Sequence, residues 1–374
     1  MYHAAVRNLL QSSVLILSIL LTAAVNGHAQ RYVEREIRIP WVLAGINGLD
    51  ALLVYADLPG KHPLALLTHG SSRIADEQAQ VTPWQQLPQA LWFARRGFVV
   101  LVVVRRGYGT SGGEKDMHRC PRCSQIDPEE AAQNAAQDLR IAIDFARGLP
   151  QVDGAHMIAA GVSTGGFATT ALTAHAPPGL IAAINFAGGM GSRADHDVPI
   201  ANDVIGAYRS FGKTSRVPML WIYAENDKFF WPELAQKFDE AFRSKGGNDQ
   251  FILAPAIGTD GHSLFRHVDA WSALVDGFLK QQNAEPLAEP LPELRAPDVP
   301  PPAGLSETGL QAFQSYLLLG PHRAFAASEH YFGMAVAAMT VDDARQKALD
   351  RCRQSAQKKE SCTVVYVDDT PVHP

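Results

Sequence analysis

Apolar and polar positions along this chain alternate between two periods. Short apolar runs of strand type are followed by stretches whose apolar residues recur every three or four positions, the mark of helices with one buried face. Residues 35–40 and 49–57 read as two strands separated by Gly45-Ile46-Asn47-Gly48, whose Asn-Gly pair is a hairpin signal. Residues 63–70 form an apolar run ending in His69-Gly70, as expected of a strand buried on both faces. Residues 84–96 carry Leu87, Leu91 and Ala94 on one helical stripe and close at Gly97, a helix C-cap signal. The most β-prone run, 98–104, breaks at the glycine-rich 106–113, and a helix over 128–148 follows with Leu139, Ile143 and Ala146 on one face.

The same alternation continues past the middle of the chain. A strand-like run at 157–162 stops at Ser163, and a small-residue helical segment at 167–174 comes next. Strands are expected at 180–186, 217–224 and 250–254, and helices at 232–245 and 268–281. The polar stretch 190–216, with a short helical middle, reads as a modest lid. Strands alternating with helices imply βαβ units and a mostly parallel, doubly wound sheet, with antiparallel strands at its N-terminal edge.

Both ends of the chain depart from this pattern. Arg7 precedes an apolar run at 14–21, and Gly27 and Ala29 stand at the minus-three and minus-one positions before Gln30, so residues 1–29 are expected to be a cleaved signal peptide. The apolar run is shorter than the roughly 20 residues that span a bilayer. A periplasmic or secreted protein without stable membrane insertion is therefore expected. Residues 30–282 are read as the main domain, the proline-rich 283–304 as a semi-rigid linker, and 305–374 as a small α+β module of unknown partner. In that module a helix at 306–318, strands at 323–329 and 332–338, a helix at 340–358 and a closing strand at 362–367 are expected.

Export bears on the four cysteines, because disulfides persist in oxidising compartments. Three pairings are open to them. Local pairing of Cys120 with Cys123 and of Cys352 with Cys362 is the expectation. The Cys120-Pro121-Arg122-Cys123 stretch lacks the strand before and helix after of a redox site, and no second pair stands at zinc-finger spacing. No metal or other cofactor is expected. Of 374 residues 47% are hydrophobic, which excludes a largely disordered chain, and the net charge of −5 leaves no basic footprint for nucleic acid.

Chemistry concentrates where the expected strands end. Ser163 lies between Gly161 and Gly165, so that a tight strand-to-helix turn could present its hydroxyl without side-chain clashes. Asp227 follows the strand at 217–224, and His262 lies in the loop after the strand at 250–254. Ligand sites of such sheets lie beyond the carboxyl ends of the strands. A serine hydroxyl needs a base, and the base needs an orienting group. Asp195, Asp197 and Asp203 are alternative acids, and His267 an alternative base.

With His69-Gly70, Arg106-Gly107-Tyr108-Gly109, the Ser163 turn, Asp227 and His262 in this order, the chain resembles the α/β-hydrolase superfamily over about residues 35–280. Within it the likeness is to dienelactone hydrolase-like and prolyl-oligopeptidase-like serine esterases. The resemblance implies an α/β-hydrolase fold and a Ser163-His262-Asp227 triad that cleaves a small or medium carboxylic ester through an acyl-enzyme. A peptidase or amidase is the second expectation, and a degenerate hydrolase scaffold serving as a binding protein the third. The resemblance also implies oxyanion donors at Thr164 and Ser71, an orienting role for His69 and Gly70, and an Arg106 that anchors its loop against the site. Tyr108 and residues 229–231 are expected near a substrate pocket. Two departures stand out: dienelactone hydrolases carry a cysteine at the position of Ser163, and Ser71-Ser72 stand where relatives have further glycines.

Overall fold

The computed structural model describes residues 31–115, 127–357 and 360–372. The expected signal peptide and Cys120 with Cys123 lie outside the described residues.

Eight strands form the main sheet: β1 (Tyr32–Ile39), β2 (Leu49–Ala56), β3 (His62–Thr68), β4 (Val99–Val104), β5 (Val152–Val162), β6 (Leu180–Phe186), β7 (Met219–Ala224) and β8 (Asp249–Ala254). Their spatial order is β1-β2-β4-β3-β5-β6-β7-β8. β1 pairs with β2 and β2 with β4 in antiparallel fashion, and every pairing from β4 onward is parallel.

Continuous apolar runs become central strands because both faces of this sheet are covered. Val99, Leu101 and Val103 of β4 face one helical layer, and Val100 and Val102 face the other. The first layer holds α3 (Pro128–Arg147), α4 (Thr164–Ala174), α5 (Ala201–Gly212) and α6 (Pro232–Arg243), preceded in the chain by the short α1 (Ala75–Gln78). The second holds α2 (Leu87–Arg95) and α7 (Val268–Gln281). Asp127 caps α3 by accepting from the amides of Glu129 and Glu130, which sets the start of that helix.

Two expectations need correction. Ile39 faces Leu49 in the β1–β2 register, so residues 40–48 form the connection, with a 3-10 turn over Val42–Asn47, and Asn47-Gly48 is not a two-residue hairpin turn. The buried Ala44 and the packing of the Leu43 and Ala44 carbonyls against Gly113 and Gly112 hold this longer connection against the neighbouring loop. The stretch 190–216 is also not a lid. Val204, Ala207, Tyr208 and Phe211 fall on one face of α5 and are buried, Tyr208 meeting Phe167 of α4 and Phe238 of α6 at ring distances of 4.9 and 5.0 Å. That stripe makes α5 a core helix in spite of its polar composition.

After an extended segment, α8 (Glu307–Leu317) and α9 (Val341–Ser355) enclose a second sheet of order β10-β9-β11-β12. Its strands are β9 (Ala324–Ala327), β10 (Phe332–Ala335), β11 (Thr363–Val367) and β12 (Thr370–Pro371), the last unforeseen in the sequence. Ala324 and Ala326 face α9, while Phe325 and Ala327 face α8. Ser306 and Thr340 cap the two helices through the amides of Gly309 and Asp343. Cys352 and Cys362 are joined by a disulfide, Cα atoms 6.1 Å apart. The connecting segment lies on the main domain: Leu291 donates its amide to Arg95 O at 2.7 Å, and Arg95 pairs with Glu293 at 2.8 Å.

Candidate active site

β5 delivers its last residue, Val162, into a turn so tight that Ser163 takes φ 57° and ψ −122° and α4 begins at Thr164. These angles lie outside the regions open to L-residues and cost about 1–3 kcal/mol. The surroundings enforce them. Ser163 donates its amide to Phe186 O of β6, and its carbonyl accepts from Phe167 and Gly189. Only glycine fits on either side: a Cβ on Gly161 would lie 2.2 Å from Gly165 O, and one on Gly165 would lie 2.4 Å from His69 O.

The histidine comes from the loop after β8. Asp260 Oδ1 accepts from the amides of His262 at 3.0 Å and Lys228 at 3.1 Å, stapling the histidine loop to the loop after β7. Asn226 adds a second staple, donating to Ile257 O and accepting from its amide. Gly261 allows the approach, since a Cβ there would stand 2.6 Å from both Ala224 Cβ and Asn226 Oδ1.

His262 then lies between two partners, with Nε2 3.0 Å from Ser163 Oγ and Nδ1 3.0 Å from Asp227 Oδ2. A carboxylate only accepts, so Nδ1 carries the proton and Nε2 is left to accept from the serine hydroxyl. The Asp227 side chain is wholly buried, and its other oxygen accepts from the amides of Phe229 at 2.8 Å and Phe230 at 2.9 Å. Those bonds offset the desolvation of its charge and fix the carboxylate plane. The competing residues are engaged elsewhere: Asp195 with Arg73 and Lys228, Asp197 with Arg193, and His267 near Ser263 at the start of α7. Asp203 lies in the first turn of α5.

Gly70 backs directly onto the serine; a Cβ there would lie 2.9 Å from Ser163 Cβ. His69 is a strut of this loop. Its Nδ1 donates to Gly70 O at 2.6 Å and its Nε2 accepts from the Arg105 amide at 3.0 Å. Burial, and after it the nearby Arg105 guanidinium, holds the His69 imidazole well below its usual pKa, so the ring is neutral. Tyr108 is buried behind it, edge-on to the ring at 4.8 Å, with its hydroxyl donating to Ser71 Oγ at 3.2 Å. It supports the loop from behind and does not line an open pocket.

The arginine expected to face the site does not. Arg106 binds the helix α3, pairing with Asp138 at 3.4 Å and donating to Asn134 O at 2.9 Å. Its neighbour Arg105, fully buried, takes the site-facing position and donates to Thr68 Oγ1, His69 O and Thr164 Oγ1 at 2.8, 2.6 and 3.1 Å. It thereby links the ends of β3 and β4 to the first residue after Ser163. Two arginines in a row leave a strand end on opposite sides, and composition does not say which side faces the serine.

Strand order, a positive-φ serine after β5, an acid after β7 and a histidine after β8 are now in place. The fold is that of an α/β-hydrolase. Residues 59–205 of the chain match the X-Pro dipeptidyl-peptidase (S15) family, a match to less than half of the chain. No curated protein matches it. Among solved structures, a putative dienelactone hydrolase from Klebsiella pneumoniae is similar at 16% identity and a TM-score of 0.45, over 68% of this chain and 98% of that one. An esterase from Pyrococcus furiosus is similar at 16% identity and a TM-score of 0.44, over 67% and 93%. An acylaminoacyl peptidase from Pyrococcus horikoshii is similar at 19% identity and a TM-score of 0.48, over 67% of this chain and 41% of the peptidase. Among the described residues no group of three or more His, Cys, Asp or Glu side chains could hold a metal ion.

Proposed function

We propose that the chain is an exported serine hydrolase that cleaves small or medium carboxylic esters through an acyl-enzyme. The observation that carries this reading is the continuous relay from Ser163 Oγ to His262 to Asp227, both links 3.0 Å long, on a serine held in a strained turn. Ser163 Oγ attacks the ester carbonyl carbon while its proton passes to His262 Nε2. Asp227 steadies the imidazolium that results. The amides of Thr164 and Ser71 donate to the oxyanion, and His262 returns the proton to the departing alkoxide. Water then repeats the sequence on the acyl group and releases the acid. The disulfide in the small module and the leader-like residues 1–29 support the exported setting.

Peptide or amide cleavage is the second reading, supported by the match of residues 59–205 to the X-Pro dipeptidyl-peptidase family. An ester series of graded acyl length, run beside peptide anilides that include an X-Pro dipeptide, separates the two. Esters are expected to be preferred, and faster anilide cleavage would reverse the assignment. Labelling of Ser163 by a fluorophosphonate tests the shared premise; a chain left unlabelled by a probe small enough to reach the serine would sink the serine-hydrolase reading.

A further inference from the structure

We propose that Arg73, acting through Phe229, is a positioning residue that fixes the plane of the His262 imidazole; the inference rests on the triad reading above. Arg73 lies two residues beyond Ser71, on the loop that follows β3. Its guanidinium carbon stands 3.5 Å above the centroid of the Phe229 ring. The same ring is stacked on His262 with centroids 4.0 Å apart and planes 6° from parallel. Two planar groups at these distances cannot share one face, so Phe229 is clamped between guanidinium and imidazole.

The hydrogen bonds of the triad leave this clamp something to do. They hold Nδ1 and Nε2 of His262 but permit the ring to rock about the line joining those atoms. A flat partner against the ring face suppresses that rocking, and Phe230, 5.4 Å away and 72° from coplanar, closes the edge. Phe229 is itself tied to the relay, because its amide donates to Asp227 Oδ1. What keeps its ring from swinging outward is Arg73, which is anchored three times on the turn at 192–195. Nη1 donates to Asp195 Oδ1 at 3.1 Å, and Nη2 donates to Ser192 Oγ at 2.8 Å and Ala194 O at 2.9 Å. Lys228 Nζ, 3.6 Å from Asp195, joins the same group of charges. One side chain thus connects the loop carrying Ser71, the turn at 192–195 and the histidine.

The test compares single and double variants on ester turnover and on the rate of Ser163 labelling by a fluorophosphonate. Arg73→Ala is expected to lower kcat by roughly 10- to 100-fold, as small misplacements of a catalytic group do, with KM changed less than about threefold and labelling slowed in parallel. Phe229→Leu, of similar bulk but not flat, is expected to show the same loss, and Phe229→Tyr to retain at least about half of the activity by keeping the stack. The double variant Arg73→Ala/Phe229→Leu is expected to lose no more than the worse single, because both changes break one clamp. Arg353→Ala, which breaks the exposed pair with Asp350 on α9, is the control without effect. Wild-type kcat in Phe229→Leu, fully additive losses, or a defect confined to KM would overturn the assignment. If Arg73→Ala does not fold, the Leu and Tyr variants of Phe229 decide alone. A wild-type chain left unlabelled at Ser163 removes the hydrolase reading and this inference with it, an outcome distinct from labelled variants of undiminished rate.

Discussion

The eight-stranded sheet closes over Trp221, Trp271, Phe93, Phe167 and Phe186, whereas the four-stranded sheet closes its α9 face over Ala324, Ala326, Ala344 and Ala348 and a disulfide. Burying a large aromatic side chain contributes several times what an alanine does, since the driving force scales with apolar area. The difference shows in what each region carries. Around the large core sit a serine with forbidden backbone angles, a buried carboxylate and a wholly buried arginine, each held by several hydrogen bonds. The alanine face of the small sheet instead relies on the Thr340 cap and on a covalent tie between α9 and the approach to β11, while its α8 face closes over a smaller aromatic cluster of Phe313, Tyr316, Phe325 and Tyr366. Strain and buried charge at a site need a core with stability to spare.

The largest effect expected from breaking this contrast is at the strained turn. Ser163→Ala should reduce ester turnover by on the order of 10⁴-fold or more, with the melting temperature barely moved, because only a hydroxyl is lost. A variant that keeps more than about a hundredth of wild-type turnover at the same pH would place the nucleophile elsewhere. Next comes the loop that carries His262. Gly261→Ala puts a Cβ 2.6 Å from Ala224 Cβ and Asn226 Oδ1, so His262 must shift, and a loss of roughly a hundredfold in kcat is expected. Turnover kinetics beside a thermal melt separate that displacement from unfolding.

A change in the small module should act on stability and leave chemistry alone. The disulfide closes a loop of 10-residue separation. Replacing Cys352 and Cys362 by Ser should cost about 3 kcal/mol or less in the module's stability, read by denaturant titration, with turnover altered less than about twofold. A larger loss of turnover would show that the two regions are coupled, and the contacts for it exist: Lys347 Nζ donates to Gln80 Oε1 at 2.6 Å, and Thr82 Oγ1 to Ala337 O at 2.9 Å.

The effect on turnover is expected to be smallest at the end of the main sheet away from Ser163. Burial of Asp249 at the start of β8, with Asp239 of α6 beside it, pushes its carboxyl up to about 9. The folded-state pKa lies above the unfolded one, so the stability this proton contributes is complete below the unfolded value near 4 and declines as pH rises toward 9. Asp249→Asn should flatten that alkaline decline in a series of melts between pH 5 and 9 while leaving turnover unchanged. A decline of wild-type slope in the variant would assign it to other groups.

Much of this was legible because glycine, serine, aspartate and histidine report on backbone geometry. Ser163 stands out through its glycine frame, and Asp227 and His262 through their place just past apolar runs. Other parts were hidden for identifiable reasons. The stripe of α5 lay inside a stretch read by its polarity and not by its spacing. Arg105 and Arg106 are adjacent and chemically alike, and only the twist of the chain leaving β4 separates a residue linking the strand ends to Thr164 from one bound to α3. Nothing in the sequence marks Asn226 as a staple, whereas Asp260, two positions before the histidine, carries a capping signal.

By itself the sequence determined the order of strands and helices, because burial on two faces, one face or none imposes its own period on the residues. It also determined the order serine, aspartate, histidine, because each must follow a strand. Only the tertiary structure decided that these side chains meet at 3.0 Å, which arginine turns toward Thr164 beside Ser163, and that Phe229 lies between Arg73 and His262. Those facts depend on contacts between residues far apart in the chain, where the direction of a side chain and not its type is what counts.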